Sequence, residues 1–156
     1  MTGPRIEEVQ VCLIAVDGLD ATSELSGILQ NMASEAIILG GITFAGFNIV
    51  NAQQLFEGSS RPVIVFMRDR PNNVAVKEAL QKHFDDWRER WRLIEALGAT
   101  YSAYTYPGEP PIYFEVVGAE PSWAEKILQR SATLCRIPEP VRVARLVARG
   151  VSLTSD

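Results

Sequence analysis

The run PVIVFM, Pro62 to Met67, decides the fold. Five apolar residues in unbroken succession, rich in β-branched side chains, fit a strand covered on both faces. Arg68-Asp69-Arg70-Pro71 leaves its end, and a helix is expected from about Asn73 to Phe84. A second helix carries Trp87, Trp91, Ile94 and Leu97 on one face and stops at Gly98. Both tryptophans read as core anchors. Upstream, VQVCLIAV (Val9 to Val16) reads as a buried strand ended by the turn Asp17-Gly18. Leu25, Ile28, Leu29 and Met32 recur at helical spacing behind an N-cap at Asp20 or Thr22. Ala36 to Leu39 is the next strand, followed by the glycine-rich loop of ILGGITFAGFN (Ile38 to Asn48) and a short helix opened by Asn51.

Beyond the second tryptophan helix, Thr100 to Tyr106 and Ile112 to Val117 resemble strands flanking the turn PGEPP. Pro121 and Pro140 each start a helix, and in the last one Arg142, Arg145 and Arg149 share a face. Strands alternating with helices predict an α/β domain with a largely parallel central portion. Ligands of such sheets bind beyond the carboxyl ends of the strands. Three loops qualify: Asp17 to Asp20, Gly40 to Asn48, and Arg68 to Pro71.

A chain of 156 residues is long enough for one core, so a single domain over 1–156 is expected, with loose ends at 1–7 and 152–156. The longest apolar run, Ala36 to Val50, is broken by glycines and is shorter than the roughly 20 residues that span a bilayer. No signal-peptide pattern opens the chain, so a cytoplasmic protein without membrane partners is expected. Cys12 and Cys135 form no metal or disulfide pattern, and two buried thiols are expected. The net charge of −4 argues against a general electrostatic grip on nucleic acid. The basic residues are unusual in kind, however: 12 of the 15 are arginine, the side chain suited to bidentate phosphate contacts.

Asp17 and Asp20, three residues apart after a strand, are candidates to hold one Mg²⁺; a turn aspartate and a helix N-cap are the alternative. In the loop, Gly40, Gly41 and Gly46 match neither of the nucleotide-binding glycine patterns. They permit a ligand to approach the backbone or a positive φ. Phe44 and Phe47 are candidates to stack on a base or to anchor the loop inward. Asn48 is the residue most expected to make a specific hydrogen bond. Arg68 and Arg70 either clamp a phosphate or pair with Asp17, Asp20 or Asp69. The arginine stripe of the last helix reads as a solvated face. His83, the lone histidine, lacks a neighbouring nucleophile.

Together, VDGLDAT (Val16 to Thr22), GITFAGFNIV (Gly41 to Val50), RPVIVFMR (Arg61 to Arg68), HFDDWRERWRLIEALG (His83 to Gly98), PIYFEVVG (Pro111 to Gly118) and IPEPVRVARLVA (Ile137 to Ala148) resemble the archaeal endonuclease dU family, which is regarded as related to endonuclease V. The resemblance spans nearly the whole chain. It implies a ribonuclease-H-like α/β fold, a five-stranded mixed sheet flanked by helices. It also implies Mg²⁺- or Mn²⁺-dependent phosphodiester hydrolysis near a uracil-type or deaminated base, through clustered carboxylates. Carried onto this sequence, Asp17 and Asp20 are the catalytic candidates, with Asp17 as metal ligand. Gly41, Thr43, Phe44, Gly46, Asn48, Arg68 and Arg70 are the candidates for nucleic-acid binding.

Three positions depart from that pattern. Gly40 stands where the family has Asp, Asn51 where Asp is common and Arg145 where His is usual. Glycine offers no ligand, and arginine cannot act as a neutral base. The resemblance also implies an initial segment bearing acidic residues and a hairpin partner, for which no counterpart is expected here. The reading is therefore an N-terminally shortened relative lacking the first strands, with cleavage impaired or lost. The alternatives are an active nuclease using Asp17, Asp20 and Glu35, or a non-enzymatic interaction module. A shortened sheet also predicts an exposed edge, and with it a homo-oligomer or a strand-donating partner.

Overall fold

The computed structural model describes residues 1 and 5–152. Its elements are α1 (Ala21–Asn31), β1 (Ile37–Leu39), β2 (Thr43–Phe44), β3 (Asn48–Ile49), α2 (Ala52–Ser59), β4 (Val63–Met67), α3 (Asn73–His83), α4 (Trp87–Glu95), β5 (Tyr101–Ala103), β6 (Ile112–Val117), α5 (Pro121–Ser131) and α6 (Glu139–Ser152). The main sheet runs β1-β4-β6-β5, and β2 and β3 form a separate small hairpin.

β4 is central, as PVIVFM predicts, and Val63, Ile64, Val65 and Phe66 are completely buried. Their side chains alternate between two cores. Val63 and Val65 pack with Ile37, Leu39 and Leu55 beneath α1 and α2. Ile64 and Phe66 pack with Ile112, Phe114, Leu128 and Val141 beneath α5 and α6. Helices on both faces thus account for the unbroken apolar run. A third cluster of Ile49, Leu80 and Ile94 joins the hairpin to α3 and α4, with Trp87 and Trp91 half-buried against it.

The helix starts follow local chemistry. Asn51 accepts from Gln54 N at 3.0 Å and Asn72 from Ala75 N at 3.1 Å, each satisfying an otherwise unpaired amide. Pro121 begins α5, where its missing N–H costs nothing.

Three expectations are corrected. First, Val9 to Val16 is not a buried strand: Val9, Leu13 and Val16 are 50%, 85% and 77% exposed, and the segment pairs with no strand among the described residues. An apolar β-branched run is buried only where neighbouring elements pack against it. Here Val9, Val11 and Cys12 line an apolar groove of about 360 Å³ together with Leu25 and Ile28 of α1 and Val143 and Val147 of α6. Second, only β1 and β4 are parallel; β6 runs antiparallel to β4 and to β5. The PGEPP turn makes β5 and β6 a hairpin, which reverses direction by construction. Third, Cys12 and Cys135 are half-buried rather than buried. The expected loose ends, 1–7 and 152–156, fall partly outside the described residues. No helix of the described residues is long and apolar enough to cross a membrane.

Glu115 is an exception within the sheet. It sits on β6 opposite Val65, 4% exposed, with one hydrogen bond from Thr100 Oγ1 at 2.9 Å. Burial pushes its carboxyl above the ordinary glutamate value, and the Thr100 bond opposes that shift. Between the ordinary and the raised value, the unfolded chain has released a proton that the folded chain retains, so stability falls as pH rises through that window. Glu115→Gln is expected to abolish the slope and to raise the urea midpoint at neutral pH; equal midpoints for both proteins across that window would refute it.

Candidate functional site

Two loops lock together beyond the start of α1. Asp17 sits at φ 56°, and its amide donates to Ala45 O at 2.8 Å. Its carboxylate accepts from Phe47 N, also at 2.8 Å. Gly46, at φ +81°, lies so close to that carboxylate that a Cβ would collide with Asp17 Oδ1.

Asn48 is the hub of the second contact, and it is fully buried. Its Oδ1 accepts from Ala21 N at 3.1 Å, and its Nδ2 donates to Ala15 O at 2.9 Å and to Asp20 Oδ1. Both Asp20 oxygens also accept from Ala15 N, at 3.2 and 3.1 Å. Donation from Asn48, and then from Ala15, holds the Asp20 carboxyl below the ordinary aspartate value. Asp20 occupies the N-cap position of α1 but makes no side-chain cap there, because Ala15 and Asn48 claim the carboxylate. Thr22 is inside the helix, where its Oγ1 accepts from Asn51 N at 2.9 Å.

Arg90 of α4 closes this unit from behind. Only 5% exposed, it donates to Gly18 O at 3.1 Å and Phe47 O at 2.7 Å, pairs with Asp86 at 2.9 Å, and lies 4.4 Å over the Phe84 ring. Sequence reading missed this residue. Its signal was an arginine on the same α4 face as Trp87, Ile94 and Leu97.

The carboxylates are therefore spent on the loops. Mg²⁺ requires oxygen ligands free to turn toward it, with near-octahedral geometry. Of the four oxygens of Asp17 and Asp20, only Asp17 Oδ2 accepts no hydrogen bond from a described residue. Among the described residues, no three or more His, Cys, Asp or Glu side chains form a group able to hold a metal ion. Asn51, standing where an Asp is common, caps α2 instead. Glu35 is exposed, outside any such group. These residues do not fit a divalent metal centre.

The charge beside the glycine-rich loop is positive. Arg145 of α6 donates from Nη2 to Gly40 O at 3.3 Å. A Cβ built on Gly40 would lie 3.0 Å from Val141 Cγ1 and 3.6 and 3.7 Å from Arg145 Nε and Nη2. Two positions 105 residues apart in sequence, both read as departures, thus touch. Over the next residue, Gly41 at φ +120°, the space is open. Arg145 has no carboxylate partner among the described residues, whereas Arg142 pairs with Glu139. The expected solvated arginine face is accordingly divided between an ion pair and a loop contact.

The remaining candidates are dispersed. Thr43 pairs with Ile49 in the hairpin, and Phe44 packs against the α1/α2 core. Phe47 meets Phe84 edge-on, with ring centroids 5.5 Å apart. Both phenylalanines are inward anchors. Arg68 is exposed and pairs with Asp69 at 3.5 Å, not with Asp17 or Asp20; Arg70 is exposed beside it. Arg136, also missed from sequence, ties this corner together by donating to Arg68 O and Pro111 O, each at 3.0 Å, and pairing with Asp69.

Comparison with known proteins matches residues 1–152 to the family described as endonuclease dU. A UPF0215 protein of Methanopyrus kandleri is 37% identical over 154 residues, covering 96% of this chain and 78% of its own. A UPF0215 protein of Methanothermobacter thermautotrophicus is 36% identical over 155 residues, covering 97% and 74%. Among solved structures, a protein of unknown function from Archaeoglobus fulgidus superposes with a TM-score of 0.78 at 32% identity, covering 88% of this chain and 78% of its own.

Proposed function

Because this chain belongs to the endonuclease dU family, we propose that it binds nucleic acid and that its metal-dependent phosphodiester cleavage is impaired or lost. The observation that carries this reading is the contact between Arg145 and Gly40, which sets a guanidinium rather than a carboxylate beside the open loop. A guanidinium recognises phosphate oxygens and repels a divalent cation. Arg145, Arg68 and Arg70 then supply backbone contacts, and the uncovered space above Gly41 admits the sugar-phosphate chain. The mixed sheet with its parallel β1–β4 pair supports a ribonuclease-H-like ancestry for this binding face.

A nuclease assay with Mg²⁺ or Mn²⁺ on uracil- and inosine-containing DNA and RNA, run beside a salt titration of binding, tests this. Binding without turnover is expected, with affinity falling by about 0.9 log units per log unit of salt for each neutralised phosphate. Turnover abolished by Asp17→Ala would overturn it in favour of an active Mg²⁺- or Mn²⁺-dependent endonuclease, a reading supported by Asp17 Oδ2, which accepts no hydrogen bond from a described residue.

A further inference from the structure

Beyond the loop of Gly40 and Gly41 lies a cavity of about 270 Å³, lined by Arg68, Glu109, Pro110, Cys135, Arg136 and Ile137. Three links bring it to the same rim as Arg145. β1 and β4 are parallel with Leu39 opposite Val65, so Gly40 and Arg68 leave neighbouring strands at the same end of the sheet. Arg136 donates to Arg68 O at 3.0 Å, which fixes the segment after Cys135 against the end of β4. Arg142 of α6, one turn before Arg145, is raised above the ordinary arginine value first by its hydrogen bond to Glu139 and also by the charge of Cys135, so that thiol is within electrostatic reach of the guanidinium. The path Gly40, Arg145, Arg142, Cys135, Arg68 therefore closes around the carboxyl ends of β1 and β4.

The donors along this path are unequally committed. Arg136, its side chain 11% exposed, is spent on Arg68 O, Pro111 O and Asp69. Arg68 is 59% exposed and touches Asp69 only through Nε, at 3.5 Å, so both its Nη atoms are without a partner among the described residues. Arg142 gives Nε and Nη2 to Glu139 and keeps Nη1, while Arg145 gives Nη2 to Gly40 O and keeps Nε and Nη1. Each acid of the rim, Asp69, Glu109 and Glu139, already faces a guanidinium. Guanidinium nitrogens left over along one rim, beside acids that are already paired, suit successive phosphates of one strand. Pro110 and Ile137 give the cavity an apolar wall against which a sugar can lie. A duplex, stiff over about 150 base pairs, cannot turn from the loop into it.

We propose that a single-stranded nucleic acid held at the Gly41 loop continues past Arg142 into the cavity beside Arg68, where one phosphate takes the free Arg68 nitrogens and the strand covers Cys135. This rests on the nucleic-acid reading of the Arg145 loop and adds to it a strand type, a direction and a second phosphate subsite. Cys135 serves as a reporter of that path and takes no part in the chemistry.

On a Cys12→Ser background a neutral maleimide labels Cys135 alone. A saturating single-stranded oligonucleotide of about 15 nucleotides, long enough for a one-domain site, is expected to slow that labelling at least about tenfold. On a Cys135→Ser background, labelling of Cys12, which lines a different groove with α1 and α6, is expected to keep its rate. Arg68→Gln and Arg142→Gln should each flatten the salt dependence of binding by about one phosphate, roughly 0.7 log units per log unit of salt for a single strand. Arg68→Gln should also restore labelling of Cys135 in the bound protein. Arg88→Gln removes the same charge from α4, where it lies over Trp87, and should change neither readout. An oligonucleotide that binds while Cys135 is labelled at the free rate would overturn this proposal and leave the reading of the Arg145 loop standing, whereas no binding even at low salt would overturn both. Equal protection by a duplex of the same length would refute the single-stranded path.

Discussion

Arg90→Met is expected to lower the unfolding free energy by about 2–4 kcal/mol, chiefly from two backbone carbonyls left without their charged donor, with little from the Asp86 pair because that carboxylate is 34% exposed and screened by water. The substitution keeps an apolar stem under Phe84 but removes every donor. Gly18 O and Phe47 O then lose the guanidinium that joins them, and Asp86 loses its counter-ion. Those carbonyls belong to two different loops, one holding Asp17 and Asp20 and the other Gly46 and Asn48. The consequence is more than a local cavity: the loops lose the donor that bridges their backbones from behind. Arg90→Lys is expected to recover less than half of the loss, because one ammonium cannot span both carbonyls and the carboxylate with the geometry of a planar fork. Urea unfolding of the three proteins measures this, and hydrogen exchange at Phe47 N, which donates to Asp17, reports whether the loop clamp loosens with the global fold. A methionine variant with the parent midpoint would mean that the clamp is held by Asn48 and Asp17 without help from α4.

The same residues show what a linear reading reaches. PVIVFM was legible because a fully buried strand needs apolar side chains on both faces, and nothing else in the chain satisfies that as fully. The caps at Asn51 and the glycine stop after α4 were legible because each repairs a helix end within a few residues. Val9 to Val16 misled for the converse reason: its composition suits a buried strand, but burial depends on a neighbour, and the sequence of one strand does not state whether it has one. Asn48 was rightly expected to make a specific hydrogen bond, although its partners turn out to be Ala15, Asp20 and Ala21. Asp17 and Asp20 were read as ligand candidates because carboxylates after a strand suit a metal as well as a turn. What separates the two uses is whether amide donors converge on them, and those donors come from residues up to 30 positions away. Arg90 and Arg136 were missed because arginine is ordinarily a surface residue; only the surrounding carbonyls, contributed by distant loops, make their burial affordable.

Gly40→Asp, taken alone, looks from sequence like the repair of a lost metal ligand. The structure predicts a different outcome. With a Cβ at position 40 within 4 Å of Arg145 Nε and Nη2, the new carboxylate reaches the guanidinium before it reaches any ion. An ion pair should form, Val141 should shift by a few tenths of an ångström to admit the Cβ, and the affinity for Mg²⁺ or Mn²⁺ should stay where it is in the parent. Neutralising the guanidinium that touches Gly40 should also weaken polyanion binding by about tenfold, equivalent to about 1.4 kcal/mol. The double variant Gly40→Asp, Arg145→His removes the competitor and supplies an imidazole beside the carboxylate, so Mn²⁺ binding by calorimetry is expected to appear there and not in either single variant. Arg145→Gln separates the two effects, since it should lower nucleic-acid affinity and flatten the salt dependence by about one phosphate without creating any metal affinity. If Gly40→Asp by itself gains as much Mn²⁺ affinity as the double variant, then Arg145 is not what keeps cations away, and the positive character assigned to this loop is wrong.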